Sequence, residues 1–110
     1  MIYHWCSGSD WETATHEYTP ADFHGDGFVH CSFLQQVERT ATALDPGRND
    51  LVLLCIDQGD LPVVVEDCYD TGEEYPHVYG PIPVDSVVRV LPFRPGPDGA
   101  LRLPPGTPAG

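Results

Sequence analysis

The run Leu51-Val52-Leu53-Leu54-Cys55-Ile56 constrains this chain more than any other segment. It has no polar alternation, so a strand built from it cannot leave one face in water and must be covered on both. A chain of 110 residues and 12.1 kDa supplies one core of that kind and no second one. The run is therefore expected at the centre of a single small domain spanning residues 1–103.

The neighbouring elements follow from pattern. Met1–Cys6 alternates Ile2, His4 and Cys6 with Tyr3 and Trp5, which predicts a strand. Ser7–Asp10 is a turn, and Asp10 is placed to cap a short helix through Thr15 with Trp11 facing inward. Thr19–Gly27 reads as a loop with one helical turn, and Phe28–Cys31 as a second short strand. Ser32 and Gln35 form the pattern of a capping box. Leu34, Val37, Ala41 and Leu44 then repeat at helical spacing, predicting an amphipathic helix over 33–44 that Pro46 and Gly47 stop.

Beyond the central run, Val63–Glu66 is rich in β-branched residues and Asp67–Glu74 is a polar loop. Tyr75–Pro81 is aromatic, but its prolines argue against a regular interior strand. One helical turn from Asp85, a strand over Val87–Phe93 and a Pro97-Asp98-Gly99 turn into Leu101–Leu103 complete the domain. Residues 104–110 are expected to form a flexible tail. The fold class predicted is α+β: small antiparallel sheets with one main and one short helix.

Charge narrows the partners. Against 17 acidic residues stand only 5 basic ones, all arginine and all dispersed, for a net charge of −12. Phosphate-backbone binding needs concentrated positive charge, so nucleic acid is disfavoured, and anionic membrane surfaces with it. Met1–Trp5 lacks the basic and apolar regions of a signal peptide, and no apolar run could span a bilayer. A cytoplasmic location is the expectation, and the four cysteines are accordingly read as reduced core thiols.

Chemistry is expected at three histidines. His4, His30 and His77 all stand in apolar settings, whereas His16 and His24 have polar neighbours and read as solvated. A buried imidazole needs hydrogen-bond partners, and three from separate stretches can satisfy one another around a shared pocket. Ser32, at a helix start, could hold an anion. Glu66 could serve as a base or hydroxyl acceptor, and Tyr79 could stack on a ring. Zinc would want His4 with Cys6, or His30 with Cys31, but neither pair has the spacing of a structural zinc site, and no metal is expected.

Taken in order, Ile2-Tyr3-His4, Trp11, Gly27–Ser32 with Gln36-Val37, Leu51–Asp57, Glu66 and Pro76–Pro81 resemble the bacterial family called domain of unknown function 952. The resemblance covers roughly Ile2–Leu103 and implies likeness to the ADP-ribosyltransferase fold. It implies that His4 matches the position holding the nicotinamide ribose, and that NAD is a possible cofactor. The pattern departs from the transferases at His30, where they carry Tyr or Ser. It departs again where they place a late catalytic Glu, because His77 and Tyr79 stand there instead.

Three readings follow. The first is an enzyme acting on a nucleotide or other phosphorylated small molecule, with His30 or His77 as acid or base and His4, Ser32 and Tyr79 as ligand contacts. The second is a histidine acid–base enzyme for a neutral or anionic metabolite. The third is a small-molecule binding module without turnover.

Overall fold

A computed structural model describes residues 1–109. In chain order the elements are β1 Ile2–Ser7, α1 Gly8–Glu12, β2 Glu17–Tyr18, α2 Phe23–Asp26, β3 Val29–His30, α3 Leu34–Leu44, β4 Leu51–Ile56, β5 Val63–Glu66, β6 Tyr75–Val78 and β7 Ile82–Pro83. A 3-10 turn at Val84–Ser86, β8 Val87–Pro95 and β9 Leu101–Arg102 follow. The strands pair antiparallel in three small sheets, ordered β1-β4-β8-β9, β3-β6-β5 and β2-β7. The α+β class predicted from the sequence holds, with two short helices beside α3 where one was expected.

β4 explains why its sequence never alternates. It is hydrogen-bonded to β1 on one side, from Ile2↔Ile56 to Ser7↔Leu51, and to β8 on the other. Leu51, Leu53 and Cys55 face a core closed by Val37 and Ala41 of α3 with Tyr3, Phe93 and Leu101. Leu54 and Ile56 face a second core, shared with Ile2, Tyr18, Val29, Val78 and Ile82. Both faces of the strand are therefore dry.

The sheets join through one bridge. Ser32 N–H donates to Tyr3 C=O at 2.8 Å and Tyr3 N–H returns the bond to Ser32 C=O at 2.9 Å. This pairing takes Ser32 out of the cap expected for it. Phe33 occupies the N-cap position, and the Gln36 side chain, not Gln35, accepts its N–H at 2.9 Å. A shift of the same kind occurs at α1, where Ser7 and not Asp10 is the cap, its hydroxyl accepting from Asp10 N–H at 3.1 Å. Leu44 ends the apolar stripe of α3 but is 68 % exposed, because the helix runs past the core there.

Tyr75–Val78 corrects another expectation, since β6 is the middle strand of its sheet. Pro76 is tolerated because its carbonyl accepts from Cys31 N–H at 3.1 Å while β3 has already ended at His30. The missing N–H falls on the side where the ladder stops. Among the cysteines, Cys6, Cys31 and Cys55 are buried free thiols as expected, but Cys68 is exposed in the loop after β5. Past β9, Thr107 N–H bonds to Pro104 C=O at 3.2 Å, and the Tyr3 hydroxyl donates to Pro108 C=O. No helix among the described residues is long and apolar enough to cross a membrane.

Candidate functional site

Strand alternation sorts the β3-β6-β5 sheet into two faces. Val29, Val63 and Val78 turn to the core. His30 pairs with His77 across the strands, so both rings fall on the other face, with Tyr75 and Glu66. That face forms one wall of a cleft of about 980 Å³, which β1 and α3 also line. His4 reaches the cleft from β1, so all three histidines singled out in the sequence line it, and Ser32 does too. The His30 and His77 rings meet edge to face at 5.5 Å.

Each imidazole is fixed by the partner of one nitrogen. His4 Nδ1 lies 2.6 Å from His30 C=O, and a carbonyl only accepts, so Nδ1 carries the proton and Nε2 is left with its lone pair. His77, 1 % exposed, places Nδ1 2.9 Å from Glu66 Oε2 and so donates to it, leaving Nε2 for the cleft. Its ring stacks on Phe28 at 4.1 Å. His30 Nε2 donates to Asp26 Oδ2 at 2.7 Å, while the Tyr69 hydroxyl lies 2.8 Å from Nδ1.

Glu66 and Tyr79 bond to each other beside His77 but are not among the residues that line the cleft. The Tyr79 hydroxyl donates to the same Glu66 oxygen that holds His77. Together they orient the imidazole. The bonds from Tyr79 and His77 pull the Glu66 carboxyl below its ordinary range, and the carboxylate pushes Tyr79 up to about 12. Burial lowers His4, against a smaller opposing pull from its bond to the His30 carbonyl. His4 is accordingly a neutral ring near pH 7. Burial also raises Tyr69, to about 12.

Phe28, Asp26 and Tyr69 were missed by sequence reasoning. Asp26 lies four residues before His30, a readable spacing, and Phe28 two before it on the same strand direction. Tyr69 comes from a distant loop and leaves no local signal. That loop is pinned to α3: Arg39 grips Glu73 with two bonds of 2.7 and 2.6 Å, and Gln36 donates to Glu73 and to Glu74 C=O. The Arg39 guanidinium holds the Glu73 carboxyl down at about 2. Arg48, the other arginine of the cleft wall, is paired with Asp50 at 2.6 Å. His16 and His24 are exposed, as expected.

Neither His–Cys pair weighed for zinc recurs as a ligand group. Among the described residues, Asp22, Asp26 and His30 bring their donor atoms within 4.8 Å of one another. The anion-holding corner expected at Ser32 is also altered, since the Ser32 and Phe33 amides are taken by Tyr3 and Gln36. Ser32 offers the cleft a hydroxyl rather than a cradle of N–H groups.

A family model described as "Protein of unknown function (DUF952)" matches residues 5–90, and the chain belongs to that family. Among solved structures it is similar to the crystal structure of protein CC0527 from Caulobacter crescentus, with 30 % identity, a TM-score of 0.81 and 93 % of each chain covered. The solution NMR structure of CC0527 matches at 30 % identity and a TM-score of 0.81, covering 93 % of this chain and 91 % of that one. No curated protein matches the sequence.

Proposed function

We propose that this DUF952 member binds a small molecule in the histidine cleft and moves a proton on it, with His77 as acid or base. The observation that supports this reading best is the relay at His77. An imidazole 1 % exposed, its Nδ1–H held by Glu66 and Glu66 held in turn by Tyr79, is a ring with one free nitrogen and a fixed orientation. His4 is the natural ligand contact, because a neutral Nε2 lone pair accepts from a hydroxyl or amide without a proton to lose. His30 is the second candidate for acid–base work.

The ligand class proposed is a nucleotide or another phosphorylated or anionic metabolite. Tyr18, Tyr69 and Tyr75 supply rings to the wall, and Arg39 and Arg48 supply positive charge if they exchange their carboxylate partners for the ligand. An ADP-ribosyltransferase-like use of the scaffold would put a ribose against His4. A non-catalytic binding module is the second reading. It is favoured by the glutamates: Glu73 is locked by Arg39 and Gln36, and Glu66 is held by His77 and Tyr79.

Calorimetry with NAD and ADP-ribose tests the ligand class. Saturable heat that disappears in His4→Ala, with circular dichroism unchanged, is the expected result; silence at millimolar ligand removes the nucleotide. Proton transfer is read separately, by NMR of the bound ligand in deuterated buffer. Exchange of a ligand proton in wild type and its loss in His77→Asn is expected, and binding without exchange selects the non-catalytic module.

A further inference from the structure

We infer that Asp22, Asp26 and His30 bind one divalent transition-metal ion at the edge of the cleft, reversing the expectation of no metal drawn from the sequence. The three donors come from a short stretch. Asp22 precedes α2 and Asp26 ends it, so an i,i+4 spacing sets both carboxylates on one side of the helical turn. Gly27, at φ +82°, then reverses the chain into β3, which carries His30 back to them. The donor atoms lie within 4.8 Å of one another. Metal bonds of about 2.1 Å call for donor separations of about 3–4 Å, which small rotations of the two exposed aspartates supply.

One unpartnered group points to an occupant independently of the carboxylates. His4, 9 % exposed, spends Nδ1 on the His30 carbonyl and has no partner for Nε2 among the described residues. The His4 ring lines the same cleft as Asp22, Asp26 and His30, and the charge of Asp22 acts on it. Three protein ligands leave open coordination positions, and water held there would give His4 Nε2 the partner it lacks.

The outer shell suits the ion as well. Metal binding needs the lone pair of His30 Nε2, which now donates to Asp26. The Tyr69 hydroxyl beside Nδ1 can accept as readily as donate, so the ring can move its proton to Nδ1, stay neutral and free Nε2. Two carboxylates with one imidazole suit zinc or manganese; calcium wants six or more oxygens. Binding here does not depend on the acid–base reading, although an ion at this place would also offset the two carboxylates facing a phosphorylated ligand.

The experiment uses the full chain, stripped with a chelator and carrying Cys68→Ser so that the exposed thiol cannot compete. Zinc is titrated by calorimetry and cobalt by its visible absorption bands. One equivalent is expected, with affinity at least tenfold weaker in Asp26→Asn and in His30→Gln and unchanged in His24→Gln, an exposed neighbour outside the group. Thermal melts without metal confirm that each variant folds. Absence of saturable binding, or equal affinity in Asp26→Asn, would overturn the inference, and so would binding abolished by Cys68→Ser alone.

Discussion

β4 and β6 are both inner strands of antiparallel sheets, yet they are made of opposite materials. β4 is apolar throughout and dry on both faces. β6 has four residues, one of them proline, and sends Tyr75 and His77 to the cleft while Val78 turns to the core. A domain of this size cannot line a cleft and keep a thick core in the same strand. It concentrates burial on β4, and β6 then needs only one apolar face, docked on Leu54 and Ile56 through the shared core. The polar face is held by hydrogen bonds, one donated by His77 to Glu66 and one between Thr40 and Tyr75.

The largest effect should come from cutting into β4. Leu53 is fully buried between α3 and the sheet, and Leu53→Ala should cost about 2–5 kcal/mol in urea denaturation, transfer and cavity terms together. Val64 pairs with His77 from the edge strand but is 46 % exposed. Val64→Ala should stay within about 0.5 kcal/mol. Comparable losses from the two would mean that stability is not divided between the sheets as described.

The same contrast decides what could be read in advance. β4 and α3 were legible because burial on two faces, or on one stripe, leaves a period in the sequence. The convergence of His4, His30 and His77 was legible only as a need for partners. β6 was misjudged because the tolerance for Pro76 depends on β3 ending opposite it, a fact about another strand. The cap at Ser32 was displaced by its bridge to Tyr3, which is equally non-local. Glu66 and Tyr79 belong with the histidines through their bonds at His77 but do not line the cleft, because alternation along a strand does not say which way a diagonal carboxylate reaches.

A pH series separates the two strands more gently. Nothing on β4 titrates between pH 5 and 8, since burial raises its one ionisable group, Cys55, further above that window. His4 is the sensitive group: burial lowers its folded pKa below the ordinary 6.5. The unfolded chain therefore takes up a proton that the folded chain refuses. His4 stabilises the fold fully above about pH 6.5, and that contribution fades as pH falls through the lowered value. Melting temperature should drop from pH 7.5 to pH 5.5 in wild type and drop less in His4→Gln, whose amide can still donate to the His30 carbonyl. Parallel curves for the two proteins would remove His4 as a neutral buried ring.

The smallest effect belongs to Tyr18, which sits where the two strands share their core, beside Leu54, Ile56 and Val78. Its ring packs against His4 and Trp11, at centroid distances of 5.7 and 5.9 Å, but its buried hydroxyl has only the weakly accepting Cys6 thiol beside it. Tyr18→Phe keeps the packing and deletes only this poorly paired group. A buried polar group left unpaired costs about 1–3 kcal/mol, of which the thiol of Cys6 beside it, a weak acceptor, recovers a part. In metal-free protein the variant should therefore be as stable as wild type or up to about 1 kcal/mol more so. A clear loss of stability would show that the hydroxyl is bonded in the free protein. The core beneath β6 would then be tied by a polar contact that β4 does without.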